Sequence, residues 1–412
     1  MTAAAVTADP ASAAARRGLR LLTGPEAGGI LQAALQPAGG ELLAWQPCQV
    51  DHQPGGGSTA GYQARVRWAG GRVSQERFAA CTGTGPPPGP VVTVGDGADR
   101  VAVWRFPHDP YLPALAAAYL PGAAARLLAG YGLAPGPVSL RVRAYRPRRR
   151  AVVELTGPGG RLFLKLVRPA AVAGLHRRHR LCTDAGVPVP ASLGYTPEGM
   201  LVLWPLSGQS LRQAVRGPGG PVPSGAAILA MLDRLPGALA EGPRRASWPD
   251  RAGHYAGVLA GALPAEADRA SQLAAAIAAG GGCGPIVPVH GDFYESQLWV
   301  SGSRITGLFD LDTAGPGERL DDLACLLGHL SVLAQLEPSR AAAVNRLGAR
   351  YLGGFDSTVD PTELRHRVAA VVLSLATGPH RVQEKGWPSA TRRRLELVER
   401  WLDSARHRRG TR

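Results

Sequence analysis

The sequence predicts an α+β protein: an antiparallel, strand-rich small lobe followed by a helical large lobe, with a β-rich appendage in front of both. Three features predict it. Residues 138–167 hold three short strand-like runs separated by tight turns. After Pro205 almost every long segment has helical periodicity. Residues 29–108 mix turn residues with isolated strand-like stretches and share neither pattern. The expected organisation is a disordered tail over 1–28, an appendage and linking helix over 29–130, the small lobe over 131–206 and the helical lobe over 207–412.

In chain order, residues 1–18 are small and polar, with no apolar run that would make a secretory signal, and read as a loose tail. Residues 61–69 and 100–105 alternate as strands do, and Gly83 to Pro90 must be a loop. Residues 112–131 read as helix broken near Pro121. The small lobe then offers strands at 138–146, 150–156 and 161–167, a helix at 170–184 and a further strand at 200–205. Helices follow at 225–235, 250–262, 265–279, 320–335, 338–352, 361–376 and 389–407. The 361–376 helix opens with a capping-box pattern from Asp360, Pro361 and Glu363.

Composition narrows the function classes. At 45% hydrophobic residues the chain can bury a substantial core. No stretch is apolar for long enough to cross a membrane. The expected location is the cytoplasm, since neither export nor membrane signals are evident. Cys48, Cys81, Cys182, Cys283 and Cys325 are widely scattered, and no Cys-x-x-Cys or Cys/His ligand pair is apparent, so neither a disulfide framework nor a metal framework is expected. The net charge is +15, carried almost wholly by arginine, with lysine only at Lys165 and Lys385. Such a surface attracts anions and repels polycations.

The chemistry concentrates in residues 287–324. His290-Gly291-Asp292 opens a loop, residues 298–300 and 304–309 form a hairpin, and Asp310 stands at the end of the return strand. The hairpin brings Asp292, Gln297 and Asp310 near one another. Phosphoryl transfer requires a carboxylate for the acceptor hydroxyl, hard oxygen ligands for magnesium and a cation on the nucleotide phosphates. Asp292 suits the first role, Asp310 and the Gln297 amide the second, and Lys165 the third. Retention of lysine at 165, in a chain that writes its cations as arginine, favours a site needing a compact charge.

These residues resemble the aminoglycoside phosphotransferase and choline kinase group, including its maltokinase-like members, a branch of the protein-kinase-like fold. That resemblance implies a bilobal kinase-like fold and an ATP- and Mg2+-dependent phosphotransferase acting on a small-molecule hydroxyl. It implies Asp292 as the catalytic aspartate, with His290 grouped beside it to order the loop backbone. Asp310 and Gln297 become the metal ligands, and Asp322 a brace for the loop. Lys165 becomes the nucleotide lysine, and Leu203 lies in the segment where adenine would sit. It covers about residues 138–405.

Three departures stand out. Gln297 replaces the usual asparagine. The 170–183 helix lacks an acidic partner for Lys165, with His176 or His179 near its expected place. The turn after the first small-lobe strand is Arg146-Pro147-Arg148-Arg149-Arg150 rather than glycine-rich. Arg148 in that turn is a candidate phosphate ligand; the alternative is a solvated basic face. Asp312 is read as a turn cap or an auxiliary metal ligand. No nucleic-acid motif accompanies the arginines, and no nucleic-acid partner is expected. The acceptor is left open between a sugar-like metabolite and an aminoglycoside-type antibiotic. Glu295, Glu318 and Asp321 are candidate carboxylates for a cationic one. The departures also leave open a non-catalytic, kinase-like nucleotide- or metabolite-binding protein.

Overall fold

The computed structural model describes residues 10–410 apart from 84, 86, 132–135, 218, 281 and 283. Part of the 83–90 loop therefore lies outside the described residues. The chain forms two compact units. The first comprises the chain up to Val172 together with Leu193–Val202 and Pro379–Lys385; the second comprises the remainder.

Among the described residues the first unit opens with two helices, α1 (Pro10–Thr23) and α2 (Glu26–Leu35), in the stretch where a disordered tail over 1–28 was expected; residues 1–9 of that tail lie outside the described residues. The reason is visible in their spacing. Ala15, Leu19 and Leu22 share one face of α1, and Ala27, Leu31 and Leu35 one face of α2, and all are buried. Leu19, Leu22, Ala27, Leu31 and Leu35 pack with Tyr62, Val66, Phe78, Val101 and Val103 in one apolar cluster. These residues belong to a five-stranded antiparallel sheet of β1 (Glu41–His52), β2 (Ser58–Arg67), β3 (Val73–Cys81), β4 (Val92–Val94) and β5 (Val101–Arg105), in the order β1-β2-β3-β5-β4. The Tyr62 hydroxyl donates to the Leu22 carbonyl at 2.7 Å, satisfying a buried polar group where helix and sheet meet.

Helices α3 (Ala114–Ala118) and α4 (Pro121–Gly130) follow, split at Pro121 as the sequence implies. A second sheet joins β6 (Ser139–Arg146), β7 (Arg150–Gly157), β8 (Gly160–Val167), β9 (Ser192–Thr196) and β10 (Met200–Leu203), in the order β6-β7-β8-β10-β9. Strand β9 was not anticipated. Its Gly194 stands against the Tyr131 ring, where a Cβ would come within 2.8 Å of the ring carbon. Helix α5 (Pro169–Asp184) leads out of this sheet.

The second unit is mainly helical. Its elements are β11 (Gln209–Ser210), α6 (Leu211–Arg216), α7 (Gly225–Asp233), α8 (Ala252–Ala262), α9 (Ala267–Ala278), β12 (Ile286–Val289), β13 (Leu298–Ser301), β14 (Arg304–Leu308), β15 (Gly315–Glu318), α10 (Arg319–Leu336), α11 (Ala341–Asp356), α12 (Pro361–Ala376), the short α13 (Gly378–Arg381) and α14 (Trp387–Gly410). The division between units falls within α13. Asp360 caps α12 by accepting the Thr362 and Glu363 amides at 2.8 and 2.9 Å, with Pro361 in the first turn. The reciprocal half of the expected capping box does not form, because the Glu363 carboxylate takes Arg367 instead. Two small sheets position the site. The β13–β14 hairpin also pairs with β11, and β12 pairs with β15. Among the described residues, no helix is long and apolar enough to cross a membrane.

Candidate active site

The loop after β12 and the loop after β14 are tied together by side chains from three directions. Asp322, fully buried in the first turn of α10, accepts the backbone N–H of His290 at 2.8 Å and of Gly291 at 2.7 Å. Gly291 has φ +78°, and a Cβ there would meet the Thr313 carbonyl at 2.5 Å, so the turn requires glycine. The His290 imidazole is fully buried, with Nε2 2.6 Å from the Phe309 carbonyl, adjacent to Asp310. The Thr313 hydroxyl donates to the His290 carbonyl at 3.1 Å. His290, grouped with Asp292 as a candidate catalytic residue, is placed as a positioning residue that locks one loop to the other.

Gln297 supplies the next link. Its backbone carbonyl accepts the Phe309 N–H at 2.8 Å. Its amide nitrogen lies 3.1 Å from the Tyr294 hydroxyl and 3.4 Å from Asp310 Oδ2. Asp310 itself has φ +63° and ψ +63°, a left-handed conformation that only a short polar residue or glycine adopts readily. Asp292 is half-buried. Burial first, and then the negative charges of Asp292, Glu295 and Asp310, push the Tyr294 phenol above its ordinary range. Tyr294 therefore feels both Asp292 and Asp310, and Gln297 links Tyr294 to Asp310.

The donor set can be tested against magnesium on its chemistry. A dication that prefers hard oxygen ligands is offered carboxylates by Asp310 and Asp292 and an amide oxygen by Gln297, whose amide nitrogen now faces Asp310 Oδ2 and whose side chain would turn over to bind. The residues fit. Asp312 lies in the short turn after Asp310, and its carbonyl accepts from Arg178 at 3.1 Å.

The remaining sequence candidates stand on other elements of the fold. Lys165 is on β8 opposite Val152 and is buried. Leu203 ends β10 and is buried. His176 Nδ1 is 2.8 Å from the Ser192 hydroxyl, and His179 Nδ1 is 2.7 Å from the Pro190 carbonyl. Arg148 differs most from expectation. Its backbone N–H donates to Asp109 Oδ2 at 2.9 Å, its guanidinium donates to Thr59 at 2.9 Å and stacks over Tyr111, and Arg149 pairs with Asp51. The basic turn is held by the appendage, and Arg148 is a joining residue rather than an open phosphate ligand.

The three acidic candidates for a cationic acceptor are likewise committed. Glu295 is buried against Arg212 and Glu318 against Arg244 and Arg367, while the partly buried Asp321 pairs with Arg367. Sequence reasoning missed two residues beside Asp292: Cys325 and His329, both on α10. Their spacing of one helical turn is a Cys/His pair, and it was the available signal.

The hairpin thus carries a braced aspartate loop at one end and a second aspartate at the other, and a buried lysine stands on the antiparallel sheet that precedes it in the chain. Residues 141–365, more than half of the chain, match the model of the phosphotransferase enzyme family. The chain belongs to that family and is a phosphotransferase of α+β fold. Solved structures similar to it include a putative aminoglycoside phosphotransferase of Ralstonia eutropha, at 13% identity, covering 69% of this chain and 98% of that one with a TM-score of 0.46. A choline/ethanolamine kinase family protein of Mesorhizobium loti is 22% identical, with 71% and 98% covered and a TM-score of 0.46. A macrolide 2′-phosphotransferase of Brachybacterium faecium is 19% identical, with 66% and 97% covered and a TM-score of 0.41. No curated protein sequence matches the chain.

Proposed function

We propose that the protein transfers the γ-phosphoryl group of ATP to a hydroxyl of a small molecule, with Asp292 as the catalytic carboxylate. The observation that carries this reading is the coupling of the two aspartate loops through His290 and Gln297. Asp292 orients the acceptor hydroxyl and takes up its proton as the O–P bond forms. Asp310 and Gln297 would hold magnesium, which when bound neutralises phosphate charge and polarises the transferring group. Lys165 supplies a compact cation for the nucleotide phosphates, and the segment ending β10 at Leu203 receives the adenine. Asp322 and His290 keep the loops in register, so that little reorganisation is required at the moment of transfer.

The acceptor reading favours a neutral, hydroxyl-rich molecule of sugar-like character over a polycationic aminoglycoside. The chain carries +15, and Glu295, Glu318 and Asp321 are already paired with arginines. The test is phosphoryl transfer from γ-labelled ATP to a panel of neutral sugars, amino alcohols and aminoglycosides. Labelled product with a sugar-like acceptor, reduced about 100-fold or more in Asp292→Asn, is the expected result. Undiminished transfer by that variant would refute the assignment.

A further inference from the structure

Phosphoryl transfer accounts for Asp292, Gln297 and Asp310 but leaves two side chains next to Asp292 without a task. Cys325 and His329 lie one turn apart on α10, on the face that meets the Asp292 loop. Cys325 Sγ is 4.0 Å from Asp292 Oδ1. One donor atom from each of Asp292, Cys325 and His329 lies within 4.8 Å of the others. Cys325 is fully buried, so its position is set by the helical core. The His329 ring stacks on Tyr294 with centroids 4.1 Å apart and planes 22° from parallel. Tyr294 is held in turn by Gln297. The three groups are therefore preorganised by a rigid helix, a stacked ring and a braced loop.

A carboxylate oxygen, a sulfur and an imidazole nitrogen form a donor set that magnesium does not use and zinc does. Tetrahedral zinc, with bonds of about 2.0–2.3 Å, spaces its ligand atoms about 3.3–3.8 Å apart. The cluster needs to contract by at most about 1.5 Å to reach that spacing. Two anionic ligands would balance the dication, and the three protein ligands leave a fourth position for water. A bound dication favours the thiolate form of Cys325.

We propose that Asp292, Cys325 and His329 form a zinc-binding site that captures the catalytic carboxylate and reversibly shuts off phosphoryl transfer. On binding, the Cys325 S–H is replaced by an S–Zn bond, its proton leaves to solvent, and no electron is transferred. Zinc binding itself is independent of the reaction; the loss of activity rests on the catalytic reading of Asp292.

The full-length protein is titrated with Co2+ as a spectroscopic stand-in, and Zn2+ is then used to displace it. The expected result is one equivalent bound, with tetrahedral d–d bands and a thiolate-to-cobalt charge-transfer band, all displaced by Zn2+. Cys325→Ser abolishes the charge-transfer band. His329→Gln, at a less buried position and usable if the cysteine variant fails to fold, weakens affinity at least about tenfold. In parallel, Zn2+ at constant excess Mg2+ stops transfer by the wild type and is reversed by a zinc-selective chelator. Each variant, compared with its own metal-free rate, needs at least about tenfold more zinc. Absence of the charge-transfer band, or a band that survives Cys325→Ser and so comes from another cysteine such as the exposed Cys48, overturns the site. A band that behaves as expected while transfer continues would support the metal site and overturn the inhibitory capture of Asp292.

Discussion

Asp322 Oδ1 accepts the Gly291 backbone N–H at 2.7 Å across 31 residues of sequence, fixing the turn that presents Asp292. Its other oxygen takes the His290 N–H, so one buried carboxylate defines two successive backbone orientations. Asp322→Asn replaces one acceptor by a donor facing an N–H. The expected outcome is a fall in kcat of about 100-fold from misplacement of Asp292. Nucleotide KM should change little, and stability should fall by about 1.5–3 kcal/mol. Steady-state kinetics with a denaturation curve separates the two effects.

Arg367 is the electrostatic centre of the helical unit. It is 1% exposed and pairs with Glu318, Asp321 and Glu363. Burial alone would lower its pKa, yet the carboxylates around it raise it above the ordinary value. Arg367→Met takes the arginine from Asp321 and Glu363 and leaves Glu318 only Arg244, and the expected loss is about 3–5 kcal/mol, read from the urea midpoint. Glu363→Gln removes only the partner nearest solvent and should cost far less.

Tyr145 joins the appendage to the small-lobe sheet within the first unit. Its hydroxyl accepts from Trp104 Nε1 and donates to Asp109 Oδ2, each at 3.0 Å. Asp109 is buried, which pushes its carboxyl up even though the Arg148 and Tyr111 amides and Tyr145 donate to it. Tyr145→Phe leaves the indole N–H and one carboxylate oxygen each short of a partner. Stability should fall by about 1–3 kcal/mol.

His380 carries a pH signature. Burial, and then the neighbouring His52, lower its pKa from 6.5 to about 4. The unfolded chain then binds a proton between those values that the folded chain does not. Stability therefore rises with pH across this window and is lost as pH falls through it. At pH 5 the His380 contribution is a loss of about 2 kcal/mol relative to pH 7. His380→Gln should flatten the pH dependence of the denaturation midpoint between pH 7 and 5 by that amount.

Local pattern made much of this legible. The three strands that carry Lys165, the β13–β14 hairpin and the Asp360 cap follow from alternation, turn residues and capping chemistry, all of which act within a few residues. What escaped depends on distant partners. Gly315-Pro316-Gly317-Glu318 reads as loop, yet pairs with Ile286–Val289 because Glu318 is anchored by Arg367 and Arg244. Arg148 reads as an open cation because Thr59, Asp109 and Tyr111 are remote in sequence. Helix α1 hid behind two adjacent arginines, although Ala15, Leu19 and Leu22 already carried its period.

The central claim is that Asp310, with Gln297, forms the metal end of a nucleotide site. Thermal denaturation with ATP, with and without Mg2+, tests it directly on the wild type and on Asp310→Ala. A ligand that binds only the folded state raises Tm by mass action, by about 2.7 kcal/mol of stability at one hundred times Kd. The account predicts magnesium-dependent stabilisation of the wild type that Asp310→Ala abolishes. Equal stabilisation of both proteins, or none in the wild type at millimolar nucleotide, would contradict it.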